Sequence, residues 1–249
     1  MRSFILTLCY DGTRYKGWQR QGNTENTIQF KLEALLSRLL EQDIELAASG
    51  RTDAGVHAKK QVCSFRAETD IDCNELLSQI RQHLPADIGA ISLDEAEPRF
   101  HARLSCKGKT YVYRVWNSDA PNVFERRYMY LFPFPLDLDA MRSAASYLCG
   151  EHDLSAFTSA KNMKKSAVRR IDEIVISEEN GEVRFRLTGN GFLYNTVRII
   201  VGTLLEVGTG KMTPADVKTA LLSCDRKNAG FTAPAEGLIL WEVYYTNLQ

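Results

Sequence analysis

Apolar residues at Phe4, Leu6, Leu8 and Tyr10 alternate along the start of the chain, and Ile28, Leu32, Leu35, Leu36 and Leu39 then fall at helical spacing. This switch from a period of two to a period near 3.6 marks a strand followed by a helix, and the same order returns later in the chain. The spacing predicts a helix over 27–41, opened by an Asn26 and Gln29 capping box. Strands over 44–49 and 60–66 follow, then a helix over 73–83 stopped by Leu84-Pro85, then a strand over 88–93. The second half gives a strand over 106–116, a helix over 138–149, strands over 171–178 and 182–189, helices across 192–222 and a strand over 238–245. No residue-level repeat underlies this, so the duplication is architectural. It predicts an α+β chain of two ferredoxin-like (RRM-like, βαββαβ) domains, 1–104 and 105–249, whose antiparallel sheets meet at a central cleft, with Asp94 to Leu104 as the linker.

A chain of 249 residues has enough apolar side chains for a core in each half. No apolar run is long enough to span a bilayer, and Phe4 to Cys9 is too brief for a signal-peptide core, so a soluble, untargeted, cytoplasmic protein is expected. Six scattered cysteines show no CxxC spacing, and four histidines form no HxxH or HExxH pattern. Neither a metal nor any other cofactor is expected.

Net charge is zero, yet its distribution is uneven. Arg99, Arg103, Lys107, Lys109 and Arg114 run without an acid between them, as do Lys161, Lys164, Lys165, Arg169 and Arg170. Acids gather in 68–75, 87–97 and 172–182. Segregation of this kind predicts a basic face on a neutral body and excludes little else.

The loop Ser49-Gly50-Arg51-Thr52-Asp53-Ala54-Gly55-Val56-His57-Ala58 sets one carboxylate between an arginine and two glycines after a strand-like run. Asp-Ala-Gly alone is ordinary turn material. Its company is more specific: Tyr10-Asp11-Gly12 through Gly17-Trp18-Gln19-Arg20, and Asn190-Gly191-Phe192-Leu193 through Val197-Arg198-Ile199-Ile200-Val201-Gly202. Together these three stretches resemble the tRNA pseudouridine synthase A family over nearly the whole chain.

That resemblance implies isomerisation of uridine to pseudouridine on the 3′ side of the tRNA anticodon arm, by a homodimer that straddles one tRNA. The reaction breaks the bond from ribose C1′ to uracil N1 and joins C1′ to C5, with no redox change and no added water. It needs an ionised carboxylate, which either attacks C1′ or supports loss of the C2′ proton. The resemblance assigns that carboxylate to Asp53 and its balancing cation to Arg198. An arginine inside so apolar a helix also needs a partner on physical grounds. Tyr111 matches the tyrosine set beside the target base, and Arg51 the arginine that helps extrude the nucleotide.

Lys16, Gln19, Arg20, His57, Lys164, Lys165 and Arg169 are candidate RNA contacts, and Trp18 is open to either RNA contact or core packing. Many members carry Arg-His where this chain has Tyr194-Asn195, which puts any contact made by that pair in doubt. A non-catalytic module of two RRM-like domains would share the element order, but no RNP-like string is present. A metal-dependent nucleoside hydrolase would need clustered carboxylates, and none is visible.

Overall fold

In the computed structural model of the protein, which describes residues 1–160 and 166–245, the chain is mixed α+β and divides into two compact units. One comprises Met1–Lys107 with the chain from Leu240 onward, the other Gly108–Ile239. The division therefore falls three residues beyond the expected 104/105 boundary, and the chain returns to its first unit at the end.

The first unit runs β1 (Arg2–Tyr10), α1 (Ile28–Leu40), β2 (Ala47–Ala48), β3 (His57–Ala67), α2 (Cys73–His83) and β4 (Ile88–Ala96). Its sheet has the order β4-β1-β3, with β2 against β3. The alternation in β1 does what its pattern predicts: Phe4, Leu6 and Leu8 are wholly buried, and Phe4 stacks on Phe65 with centroids 5.0 Å apart. Ile28, Leu32 and Leu36 of α1 and Leu76 and Ile80 of α2 are buried as well. Each such side chain contributes about 1.5–3 kcal/mol by leaving water.

Three local expectations are corrected. The cap of α1 is Thr27, whose side chain accepts the Phe30 N–H, while Asn26 instead donates to the Arg14 carbonyl. β2 is only two residues long because the amides before it are satisfied elsewhere. Ile44 N–H donates to Ser37 Oγ and Leu46 N–H to Glu33 Oε1, so side chains of α1 replace a strand ladder. The proposed linker is partly strand, since Asp94, Glu95 and Ala96 pair with Ile5, Phe4 and Ser3.

The second unit runs β5 (Gly108–Trp116), β6 (Tyr130–Leu131), α3 (Leu138–Ser146), β7 (Gly150–Asp153), β8 (Val168–Glu179), β9 (Glu182–Gly189), α4 (Thr196–Gly208) and α5 (Pro214–Ser223). Its sheet order is β5-β9-β8-β7. A tight Asn180-Gly181 turn, both residues at positive φ (52° and 79°), joins β8 to β9. That dipeptide suits a two-residue hairpin because neither position tolerates a bulky Cβ. α4 is buried on nearly every side, and a Cβ on its Gly202 would stand 2.0 Å from the Phe231 carbonyl oxygen. The last strand, β10 (Leu238–Tyr244), lies beside β3 through its residues in the first unit, where Lys59 Nζ sits 3.9 Å above the Trp241 ring.

Candidate active site

Asp53 lies half-buried in the loop between β2 and β3. Short-range turn chemistry begins the loop's shape, with Val56 N–H donating to the Asp53 carbonyl. The segment after β1 then holds it from outside. Trp18 N–H donates to the Thr52 carbonyl at 3.0 Å and Gly55 N–H to the Tyr15 carbonyl at 3.4 Å. Gly12 and Gly17 permit this closeness: a Cβ on Gly12 would meet the Val56 oxygen at 2.0 Å, and one on Gly17 the Thr52 oxygen at 2.7 Å. Gly17 also sits at φ +88°, where L side chains are strained.

Side chains complete the frame. The Tyr10 hydroxyl and Thr52 Oγ1 are 2.8 Å apart, Ser49 Oγ donates to Gln61 Oε1 at 2.7 Å, and Gln61 Nε2 donates to the Gly50 carbonyl at 2.8 Å. Burial pushes the Tyr10 phenol well above its ordinary range, so it remains a neutral hydrogen-bonding post. Each such hydrogen bond contributes about 0.5–1.5 kcal/mol net to holding the loop that carries Asp53. None of Tyr10, Ser49, Thr52 or Gln61 was read as functional from sequence. Gln61 in particular carries no pattern signal, because its role depends on a loop eleven residues away.

The expected RNA contacts divide. Arg51 and Lys16 are exposed, and Gln19 is half-buried. Arg20 is exposed but engaged, 3.5 Å from the buried Glu33 and over the Phe30 ring at 5.3 Å. Burial settles one open alternative and corrects one expectation. Trp18 is 1% exposed and packs near Tyr10, so it is core. His57 is 3% exposed and accepts the Gly12 N–H through Nδ1, so it braces the loop rather than facing RNA. Lys164 and Lys165 lie outside the described residues. Arg169 is half-buried, with Nη1 donating to the Ser166 and Val168 carbonyls.

In the second unit, Tyr111 on β5 is 7% exposed and meets Phe192 edge-on, with centroids 5.3 Å apart and planes at 86°. Tyr113 is fully buried and donates its hydroxyl to the Pro234 carbonyl at 2.7 Å, a core role. Arg198, in the first turn of α4, is aimed by two hydrogen bonds: Nε to the Ala233 carbonyl at 2.6 Å and Nη1 to Asn195 Oδ1 at 2.9 Å. Asn195 adopts φ +63° at the helix cap. The departure at Tyr194-Asn195 thus has a structural use, since Asn accepts left-handed backbone and orients the arginine that follows.

Residues 8–104 and 144–246 match a family model described as tRNA pseudouridine synthase. The chain belongs to the tRNA pseudouridine synthase A family. Relatives carrying that name include one from Bacillus sp. strain KSM-64, 45% identical over 96% of this chain and 98% of the relative. Another from Brevibacillus brevis is 44% identical over 98% of this chain and 100% of its own length. A protein named tRNA pseudouridine synthase A 2 from Bacillus cereus is 42% identical over the same shares. A chain in a crystal structure of a Cbf5-Nop10-Gar1 complex matches with a TM-score of 0.36 at 14% identity, over 82% of this chain and 45% of that one, a likeness too slight to inform fold or function. Membership in the pseudouridine synthase A family makes the chain an isomerase acting on uridine in tRNA. Among the described residues no three His, Cys, Asp or Glu side chains group as metal ligands, and no helix is long and apolar enough to cross a membrane.

Proposed function

We propose that this enzyme converts uridines on the 3′ side of the tRNA anticodon arm to pseudouridine, with Asp53 as the catalytic carboxylate. The observation that carries the assignment is the anchoring of the Asp53 loop by Trp18, Tyr15 and the glycine contacts, which holds one carboxylate in place without committing its backbone to a strand. In the reaction the C1′–N1 bond breaks with its electron pair leaving on uracil. The carboxylate either bonds C1′ or assists loss of the C2′ proton; C5 of the turned uracil then bonds C1′, displacing the carboxylate in the first case and with the proton restored to C2′ in the second, after which C5 gives up its proton and N1 takes one up.

Arg51 is exposed and suited to a phosphate of the extruded nucleotide. Tyr111, steadied by Phe192, is suited to lie against the uracil while it turns. Arg198 serves as the cation for the Asp53 carboxylate when the nucleotide is bound. Its two hydrogen bonds leave it pre-oriented for such a task. Two ferredoxin-like domains, a homodimeric assembly and a cytoplasmic location belong to the same reading. For the first, support comes from the β4-β1-β3 order flanked by β2, and from β5-β9-β8.

Asp53→Asn keeps the shape and removes the charge. The purified variant is expected to bind tRNA nearly as wild type does and to form no pseudouridine in single-turnover assays. Substantial residual turnover would overturn the assignment of Asp53.

A further inference from the structure

A pocket of about 530 Å³ opens in the first unit, lined by Arg14, Tyr15, Asn26, Lys31, His83 and the Leu84-Pro85 step. Three of its side chains are basic. Asp87, the carboxylate bonded to two of the lining residues, is fully engaged: Oδ2 accepts from Arg14 Nε and Nη2 at 3.0 and 2.6 Å, and Oδ1 accepts from the Tyr15 hydroxyl at 2.6 Å. Lys31 has no carboxylate partner among the described residues, and its amine stands 5.9 Å from the Phe30 ring centroid. It is the fourth residue of α1, whose first turn carries no acidic side chain to offset the helix's positive end. His83 turns Nδ1 to the Gln79 carbonyl, which leaves Nε2 as its free edge.

The chemistry is that of an anion seat with a partly apolar wall. An isolated phosphate would leave most of 530 Å³ unfilled. A phosphate with its ribose fills more, setting the sugar on Tyr15, Leu84 and Pro85 and the phosphate among Arg14, Lys31 and His83. The location matters too. Tyr15 lines the pocket with its side chain and accepts the Gly55 N–H with its carbonyl, two residues from Asp53. The pocket and the catalytic loop are therefore built on one segment.

We propose that this pocket binds a backbone phosphate and ribose of the substrate tRNA, at a nucleotide other than the one isomerised, and so fixes the register of the strand against the Asp53 loop. The inference rests on the tRNA-isomerase reading and adds a second seat to it.

The test compares wild type, Lys31→Gln and, as a control on the same helix, Arg38→Gln, each checked for an unchanged unfolding midpoint. Affinity for full-length tRNA is measured across a salt series, and single-turnover pseudouridine formation at saturating tRNA. Loss of one phosphate contact is expected to reduce the slope of log affinity against log salt by about 0.7 to 0.9 in Lys31→Gln alone. The rate at saturation should fall in Lys31→Gln, whose bound strand loses its register, and stay within about twofold of wild type in Arg38→Gln. An unchanged slope in Lys31→Gln, or an equal reduction in Arg38→Gln, would overturn the proposal. So would inorganic phosphate that shifts the His83 imidazole resonances while the tRNA slope is untouched, which would mark a seat for a free anion. Failure of wild type to form pseudouridine would overturn the activity instead, independently of the slopes.

Discussion

Gly17 lies so close beneath Thr52 that a Cβ on it would stand 2.7 Å from the Thr52 carbonyl oxygen and 3.1 Å from the Ala54 nitrogen. The Asp53 loop and the segment after β1 are thus fitted backbone to backbone. Gly17→Ala would add both a clash and a strained φ of +88°. It is expected to cost about 1–3 kcal/mol of stability and to lower the single-turnover rate at least tenfold. Urea unfolding with rate measurements checks this; a variant with wild-type rate and midpoint would show that the fit is not needed.

Tyr10→Phe removes the hydroxyl that meets Thr52 Oγ1 at 2.8 Å and leaves that oxygen without its buried partner. A loss of about 1–2 kcal/mol follows from an unpaired buried polar group. Because Tyr10 is buried and braces the loop, the rate should fall more than tRNA affinity does. Equal losses in both would argue for a general weakening of the unit.

Arg198→Met removes a charge at similar volume, whereas Arg198→Lys keeps the charge but loses the fork that bonds both Ala233 and Asn195. If Arg198 keeps Asp53 ionised, the acid limb of the single-turnover pH profile should move to higher pH in the Met variant, with Lys intermediate. Both variants keeping the wild-type limb and rate would leave Arg198 a structural role only. Thermal unfolding of each variant separates that outcome from collapse of the α4 cap.

Glu182 predicts an acid-stability effect. Burial alone would raise its carboxyl, but hydrogen bonds from Arg114 and Arg184 outweigh this and hold it at about 2, below its ordinary 4.5. A depressed folded-state value means the stabilisation is fully present above about pH 4.5 and is lost as pH falls towards about 2. Glu182→Gln should flatten stability over that window and cost about 2 kcal/mol at neutral pH, since Arg114 would keep only Glu125 as an ionised partner. Unchanged acid unfolding in the variant would remove Glu182 from the account.

Much of this was legible in the chain. β9 spans 182–189 and α2 spans 73–83, as their periodicity predicts, because Asn180-Gly181, Asp72 and Leu84-Pro85 punctuate them locally. Where long-range partners decide, sequence patterns fell short. Ile44 and Leu46 look like strand, yet their amides bond to α1; Asn26 looks like a cap, yet Thr27 one residue on does the work. The Asp53 loop stood out by its residue types, while the Tyr10, Ser49 and Gln61 supports are ordinary residues given purpose only by tertiary neighbours. His57 misled because its place in a reactive-looking loop says nothing about which way the ring faces.

The amide that holds Thr52 belongs to Trp18, a side chain 1% exposed in the core. The Asp53 loop is therefore tied to a backbone segment that a packed indole holds in place. Heat inactivation and loss of the fold should coincide in one transition, with no folded but catalytically slack form between them. An enzyme wired this way meets its RNA with the backbone of the Asp53 loop already set.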